Sequence, residues 1–440
     1  MRILELIHGY PPDYNAGSEN YTEIVVKELA KRGHEVAIFC RIEDHSRPEF
    51  ELSEMYLSEH IRKYVINIAK TRDRFAPTEV NNSFDSVIES FLPEIAHIEH
   101  LNHLSLDIPV ILNKRGVPMV YTLHDFWLMC PRGQFIQNNT VGEPWNICDG
   151  QEDSKCASIC YKTHYSGYAD TEQNLEYWKG WIRNRMQSTA EAVGKIDRFI
   201  APSKTVLNSF LRYHPDARNR IQYLDYGFNL DRLKGRKRVK EERFVFGYIG
   251  THIPAKGVNY LIKAFGELKG DATLKIWGRW RNDYTPALVE LGNQVSKTAG
   301  KEILWMGEFE TEKIVDQVFN KIDAIVVPSI WLENSPLVIH EAQEARVPVI
   351  TADVGGMAEY VDDERNGLLF NFRSISSLAT EMQRLIDEPD LGRSLGLRGY
   401  KYSENGEVPS IEEHVGELLE IFESLVRRSG TNHSLGEEES

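Results

Sequence analysis

No window of this 440-residue chain holds 18 consecutive apolar residues, so no membrane-spanning helix is expected. A basic leader followed by a long apolar core is also missing. Met1 runs straight into the strand-like Arg2–Ile7, so no signal peptide is expected and the expected location is the cytoplasm, with contact at the inner face of a membrane left open. Positive charge is short: 51 Lys and Arg against 66 Asp and Glu give a net charge of −15. That balance argues against general binding to nucleic acid or to anionic membrane, leaving only a local patch for either. No GxGxxG follows the first strand, so the dinucleotide fingerprint is absent. Cysteine is scarce and uneven: of five, Cys40 stands alone and Cys130, Cys148, Cys156 and Cys160 cluster.

What is present is a soluble globular composition, 41% hydrophobic and 27% charged, in a chain long enough for two domains. Residues 2–7 read as a strand, 8–22 as a Pro/Gly loop, 18–32 as a helix capped by Ser18 and ended by Gly33, and 34–40 as a second strand. That is a βαβ opening with a glycine loop at the carboxyl end of the first strand, where open parallel sheets bind ligands. Residues 44–80 show no organising period. Apolar runs at 95–99, 118–123, 198–201 and 221–224 follow, with helical patterns at 81–92 and 203–213 and an insertion over about 128–190. After the basic run 232–243 the pattern restarts: strands at 243–248, 273–277, 303–306 and 324–327, helices at 258–268 and 311–320. A last helix covers 409–427. The expected division is a first domain over 1–230, a linker over 231–243, a second domain over 244–408, a helix over 409–428 packing back on the first domain, and a disordered acidic tail over 429–440. The fold class expected is α/β, two doubly wound Rossmann-like domains facing a central cleft.

Chemistry concentrates in Trp331–Glu359. Ser335 followed by Pro336 reads as an N-cap with proline at the first helical position, starting a helix that ends near Arg346. Its first amides, on Leu337 and Val338, face the N-terminus, where the dipole favours an anion. Glu333 and Asn334 stand just before that end, and Glu341 lies roughly 7.5 Å along the axis. Carboxylates on either side of an anion site can accept hydroxyl protons from sugar rings. A plain capped helix with two surface glutamates fits the same residues.

Taken with the rest of the chain, these residues resemble the family 4 glycosyltransferases of GT-B fold. The E-x7-E pair matches Glu333 and Glu341, and GGxxE matches Gly355, Gly356 and Glu359. The Lys-Gly of the second domain's first loop matches Lys256 and Gly257. Pro11, Pro12 and Gly17 match the first domain's loop, and Thr122, His124 and Asp125 match a TxHD strand end. The resemblance implies retaining transfer of a hexose from a nucleotide diphosphate sugar, UDP- or GDP-linked, to a glycan, lipid-linked or small-molecule acceptor. It implies Lys256 and the Leu337 and Val338 amides at the diphosphate, Glu333 and His124 at the donor sugar and Glu341 at the ribose. With no DxD pair in a donor-binding context, no catalytic metal is expected. The chain departs from the family at Gly250-Thr251-His252, where an arginine usually follows the glycine; Arg279 is the nearest substitute by motif position. A nucleotide-sugar epimerase and a non-catalytic sugar-nucleotide binding subunit are the alternatives.

The four clustered cysteines read C-x17-C-x7-C-x3-C, a pattern that points to structural zinc before disulfides in a cytosolic chain, with His164 able to replace one thiol. The insertion lacks apolar runs for a core of its own. Its aromatic stretch, Tyr161 to Trp181 with Lys179, Arg183 and Arg185, reads either as a packed helix or as a grip on an acceptor sugar or membrane interface. The basic run 232–243 reads as a solvated linker or as a guide for an anionic lipid-linked acceptor.

Overall fold

The computed structural model describes residues 1–70, 74–137, 145–161, 171–239 and 241–436. It divides into two units: residues 1–133, 149–227 and the segment from Ile411 make unit 1, and residues 134–148 and 228–410 make unit 2.

Among the described residues, unit 1 is built on an eight-stranded sheet. In chain order its strands are β1 (Arg2–Leu6), β2 (Glu35–Ile42), β3 (Leu52–Ser58), β4 (Ile61–Asn67), β5 (Ile95–Ile98), β6 (Met119–Thr122), β7 (Arg198–Ala201) and β8 (Ile221–Tyr223). In space they run β3-β4-β2-β1-β5-β6-β7-β8, parallel except for the β3–β4 pair. The central strands are buried on both faces, as helices on both sides of a parallel sheet demand. The one sheet element with no signature was the β3–β4 hairpin. β3 is an edge strand whose side chains are mostly exposed, so no buried face imposes an alternation. The helix Ile411–Gly436 packs against the helix Gly17–Lys31. It continues past 428, where a disordered tail was expected; residues 437–440 lie outside the described ones.

Unit 2 carries a six-stranded parallel sheet: β9 (Phe244–Ile249), β10 (Ala272–Trp277), β11 (Glu302–Gly307), β12 (Ala324–Val327), β13 (Val349–Ala352) and β14 (Gly367–Phe370), in the order β11-β10-β9-β12-β13-β14. The helix expected over 311–320 is broken into turns at 311–313, 314–317 and 319–321. Ile314, Val315, Val318 and Phe319 are all buried, so the apolar stripe that suggested one helix is kept across the separate turns.

The basic run is corrected by the structure. It is no solvated linker: Leu233 is fully buried, and the Arg236 guanidinium donates to the carbonyls of Phe319, Ile322 and Arg346. Arg238 brackets the Asp323 carboxylate at 2.8 and 2.9 Å. These arginines satisfy carbonyls left open where short helical turns end. Burial brings the Arg236 pKa down to about 10.

The insertion also differs from expectation, because Cys156, Ala157, Tyr161, Trp178 and Ile182 form a small core of their own. Tyr161 stacks near both Trp178 and Trp181, with ring centroids 5.3 and 5.0 Å away. Arg185 is buried over the Trp127 ring. Lys179 pairs with Glu176 and Arg183 with Asp153; residues 162–170 of this stretch lie outside the described ones.

Candidate functional site

In unit 2 the chain steps from β9 outward through β10 and β11, then returns to the other side of β9 with β12. The carboxyl ends of β9 and β12 are therefore a topological switch point, the usual ligand crevice of such sheets. Three loops meet there. Ile330 N–H donates to the Ala255 carbonyl at 2.8 Å, tying the β12 loop to the β9 loop. Gly257 has φ +68°, and a Cβ on it would lie 1.9 Å from the Pro328 carbonyl oxygen. Gly356 N–H donates to the Leu332 carbonyl at 2.9 Å, and a Cβ there would fall 1.4 Å from the Asn334 oxygen. Only glycine permits this approach.

The loops deliver Glu333 at φ +42°, a left-handed conformation unusual for glutamate, of the kind that clusters at functional sites. Its Oε1 accepts from Lys256 Nζ at 2.7 Å and from Ser329 Oγ at 2.6 Å. The Lys256 ammonium also lies 5.7 Å from the Trp331 ring centroid. The helix that follows spans Leu337–Glu344, with Pro336 rather than Ser335 as its N-cap, and that cap makes no side-chain hydrogen bond. Pro336 keeps an extended ψ of 110°, which shifts the start one residue along. Gly355 and Gly356 open the short helix Gly355–Glu359.

Glu341 lies on the Leu337–Glu344 helix, and its Oε1 accepts from Arg232 Nη2 at 2.6 Å. Thr251 lies in the β9 loop, where its carbonyl accepts from Ile253 N–H. Beside it His252 is buried, with Nδ1 3.1 Å from Thr285 Oγ1, and burial lowers its pKa. Arg279 follows β10 as an exposed side chain 3.8 Å from Glu308; among the described residues no hydrogen bond or ion pair joins it to Lys256 or Glu333. Arg373, which the sequence did not single out, donates to the Ile330 carbonyl at 2.8 Å and to the Trp145 carbonyl, fastening the 134–148 segment to the loop that carries Glu333.

Unit 1 places Gly17 as the first residue of the helix Gly17–Lys31. Ser18 does not cap that helix; Ala16 is its N-cap, and the Ser18 hydroxyl donates to Glu19. His124 lies just past β6, with Nε2 2.7 Å from Glu99 Oε2 and Nδ1 2.7 Å from the Tyr226 hydroxyl. Both ring nitrogens are thus occupied inside unit 1. Behind Glu99 comes His97, whose Nδ1 lies 3.1 Å from Glu5 Oε2 and 3.4 Å from Glu99 Oε1. Register explains the cluster: Glu5 of β1 sits opposite His97 of β5, and Glu99 projects from the same face two residues on. All three side chains are fully buried. Burial opposes charge on His97, but the Glu99 and Glu5 carboxylates outweigh it and hold the imidazolium up to about 9. Burial raises the Glu5 pKa; it acts the same way on Glu99, where His97 and His124 prevail and keep that carboxyl low. His8 and Glu19 pair at 3.1 Å at the start of the first loop; burial resists the Glu19 charge, yet His8 brings its pKa to about 2.

Among the described residues the set of three metal-capable side chains within ligand reach of one another is Glu5, His97 and Glu99. A proton on His97 already supplies the positive charge those carboxylates need. Structural zinc at Cys130, Cys148, Cys156 and Cys160 stays a proposal. No three of their sulfurs gather within ligand reach among the described residues, and no disulfide joins the five. His164 lies outside the described residues. No described helix is long and apolar enough to cross a membrane.

Comparison with known proteins now bears on this geometry. Residues 16–232 match the family described as Glycosyltransferase Family 4, and residues 231–402 match Glycosyl transferases group 1. The first part of the chain is thus similar to one family and the second part to the other. A D-inositol 3-phosphate glycosyltransferase of Rhodococcus jostii is 27% identical over 265 residues, covering 56% of each chain. The capsular polysaccharide biosynthesis glycosyltransferase CapM of Staphylococcus aureus is 23% identical over 241 residues, 47% of this chain and 56% of that one. The chain thus spans little more than half the length of these curated relatives. Among solved structures, sucrose-phosphate synthase of Thermosynechococcus elongatus superposes with a TM-score of 0.64 at 18% identity, each chain covered in full. Anabaena HepE in complex with UDP-glucose gives 0.61 at 17% identity, with 96% of this chain and 99% of that one covered. The fold is that of GT-B glycosyltransferases, two parallel-sheet α/β domains. Within it, Ser329, Arg232 and Glu99 are partners that the sequence motifs did not name. Glu99 was within reach, since it shares a strand face with His97 at the spacing of two.

Proposed function

We propose that this protein is a retaining glycosyltransferase that moves a hexose from a nucleotide diphosphate sugar to a glycan, lipid-linked or small-molecule acceptor. The observation that carries the reading is the Lys256–Glu333–Ser329 cluster beside the start of the Leu337–Glu344 helix, at the switch point of the unit 2 sheet. Transfer breaks the C1–O bond to the β-phosphate, so negative charge grows on the diphosphate as positive charge grows on the sugar ring. Donors already aimed at the phosphate stabilise that separation. Lys256 supplies a point charge and Leu337 and Val338 supply amides. Glu333 accepts from the donor's sugar hydroxyls, and Glu341 from its ribose. Retention follows if the acceptor oxygen attacks C1 from the face the phosphate leaves, with the acceptor proton passing to that phosphate. With a lysine and helix amides at the diphosphate, the reaction is proposed to run without a catalytic metal. A UDP-sugar is favoured over a GDP-sugar because HepE, of the same fold, was solved with UDP-glucose.

The test is donor turnover in excess EDTA, after a thermal-shift panel of UDP-, GDP- and ADP-sugars has named the donor. Slow release of nucleoside diphosphate from the donor alone is expected for the natural protein. Lys256→Ala and Glu333→Ala should each cut it by roughly 100-fold or more, the range for removing one preorganised transition-state contact. A folded protein that binds donor without turnover would leave a binding subunit instead.

Arg279 is proposed as the replacement for the cation absent at Thr251. Among the described residues its exposed side chain is paired with Glu308 at 3.8 Å, and it can swing to a diphosphate. Arg279→Ala should weaken donor affinity about 10-fold, the scale of one charge-assisted hydrogen bond. Unchanged affinity and turnover would remove Arg279 from the site.

A further inference from the structure

Arg232 came from a stretch that reads as linker, yet its side chain is only 4% exposed and ends on Glu341. Its guanidinium is bolted at two points: Nη1 donates to the Thr311 carbonyl at 3.1 Å, and Nη2 donates to Glu341 Oε1 at 2.6 Å. One contact fixes the planar fork to backbone, so the other presents a donor in a fixed place. Glu341 itself sits on a helix, with 12% of its side chain exposed. Among the described residues no hydrogen bond or ion pair takes its second oxygen. A carboxylate offers about four lone-pair sites, so one oxygen can be held while the other stays available as an acceptor.

We infer that Arg232 is a positioning residue for Glu341: it holds one carboxylate oxygen so that the other faces the ribose hydroxyls of the bound nucleotide. The inference rests on the assignment of Glu341 to the ribose made above. A glutamate side chain has three rotatable bonds, and an unheld carboxylate would spread over several rotamers. Arg232 removes that spread before the nucleotide arrives, and preorganisation of this kind lowers the cost of binding. The effect is confined to the sugar end of the nucleoside, because Arg232 acts only through the carboxylate.

That confinement gives a readout which general loosening of the fold would not move. UDP and 2′-deoxy-UDP are titrated into the full-length protein by calorimetry. GDP and 2′-deoxy-GDP, or the ADP pair, replace them if the thermal-shift panel so directs. The natural protein should bind the ribonucleotide about 10-fold more tightly than its deoxy form, the scale of one hydrogen bond to a charged group. Glu341→Ala should bring that ratio to about 1. Arg232→Ala should lower it at least about 3-fold while affinity for the deoxy form changes little, and Arg232→Lys should restore part of it. If Arg232→Ala fails to fold, Arg232→Gln and Arg232→Lys carry the same comparison, with the ratio lower in the glutamine variant. Collapse of the ratio in Glu341→Ala alone, with both Arg232 variants keeping it, overturns the positioning role and leaves the ribose assignment standing. A ratio unchanged in Glu341→Ala, or no nucleotide bound by the natural protein, overturns that assignment and the inference together.

Discussion

Gly356→Ala is expected to lower donor turnover by on the order of 100-fold or more in a protein that still folds. The added Cβ would fall 1.4 Å from the Asn334 carbonyl oxygen and 2.4 Å from its carbonyl carbon. These are backbone atoms, so no rotamer change relieves the clash, and the 332–334 segment has to move. That segment carries Glu333, which is held at φ +42° by its surroundings and meets Lys256 at 2.7 Å. A displacement of about 1 Å at a catalytic group is enough to cost two orders of magnitude. The comparison is Gly392→Ala, where the nearest atoms to a new Cβ lie 3.7 Å away in ordinary contact, and turnover should be unaffected. Equal activity in the two variants would mean that the glycine pair does not set Glu333.

The second large effect concerns stability. His97→Leu should cost about 3–5 kcal/mol, the range for breaking a buried charge pair from one side. Two fully buried carboxylates, Glu5 and Glu99, would then face each other without the cation between them. The natural protein should also show the pH signature of that cation. The folded pKa of His97, about 9, lies above the unfolded value near 6.5. Its contribution is therefore complete below about pH 6.5 and is lost as pH rises through about 9, by on the order of 3 kcal/mol in all. His414 works in the opposite sense: buried and neutral, with its pKa brought down to about 4, it lowers stability as pH falls from about 6.5 towards 4. The thermal midpoint measured from pH 5 to pH 10 should peak near pH 6.5. The decline above that pH should be absent in His97→Leu. A natural protein whose midpoint is flat from pH 6.5 to 9 would show that His97 is not the charged partner.

The fold class was legible because its signals are local. Each central strand is a short apolar run bounded by a loop, and each helix of unit 2 that was read correctly carries an apolar stripe at the helical period. The strand Ala324–Val327 could be bounded to the residue, since Asp323 and Pro328 close it on both sides. The β3–β4 hairpin and the break within 311–321 were not legible. β3 buries no face, and the 311–321 segment keeps a helix-like apolar stripe although it is split into three short turns.

By itself the sequence determined the α/β class, the two-fold repetition of the strand–helix pattern and the candidate donor residues Lys256, Glu333 and Glu341. Those follow from hydrophobic period, from glycine at backbone crossings and from spacing along one helix, all properties of neighbours in the chain. Only tertiary structure decided what those residues touch. Lys256 meets Glu333 because strand order sets β9 beside β12, and Arg232 reaches Glu341 across 109 positions. The same holds in part for His97, whose imidazolium is favoured by Glu99 and by Glu5, the latter set opposite it on β1 by parallel register. The physical reason is common to all three. Pairing energies between charged groups fall within a few ångströms and depend on burial, and neither quantity is a function of separation along the chain.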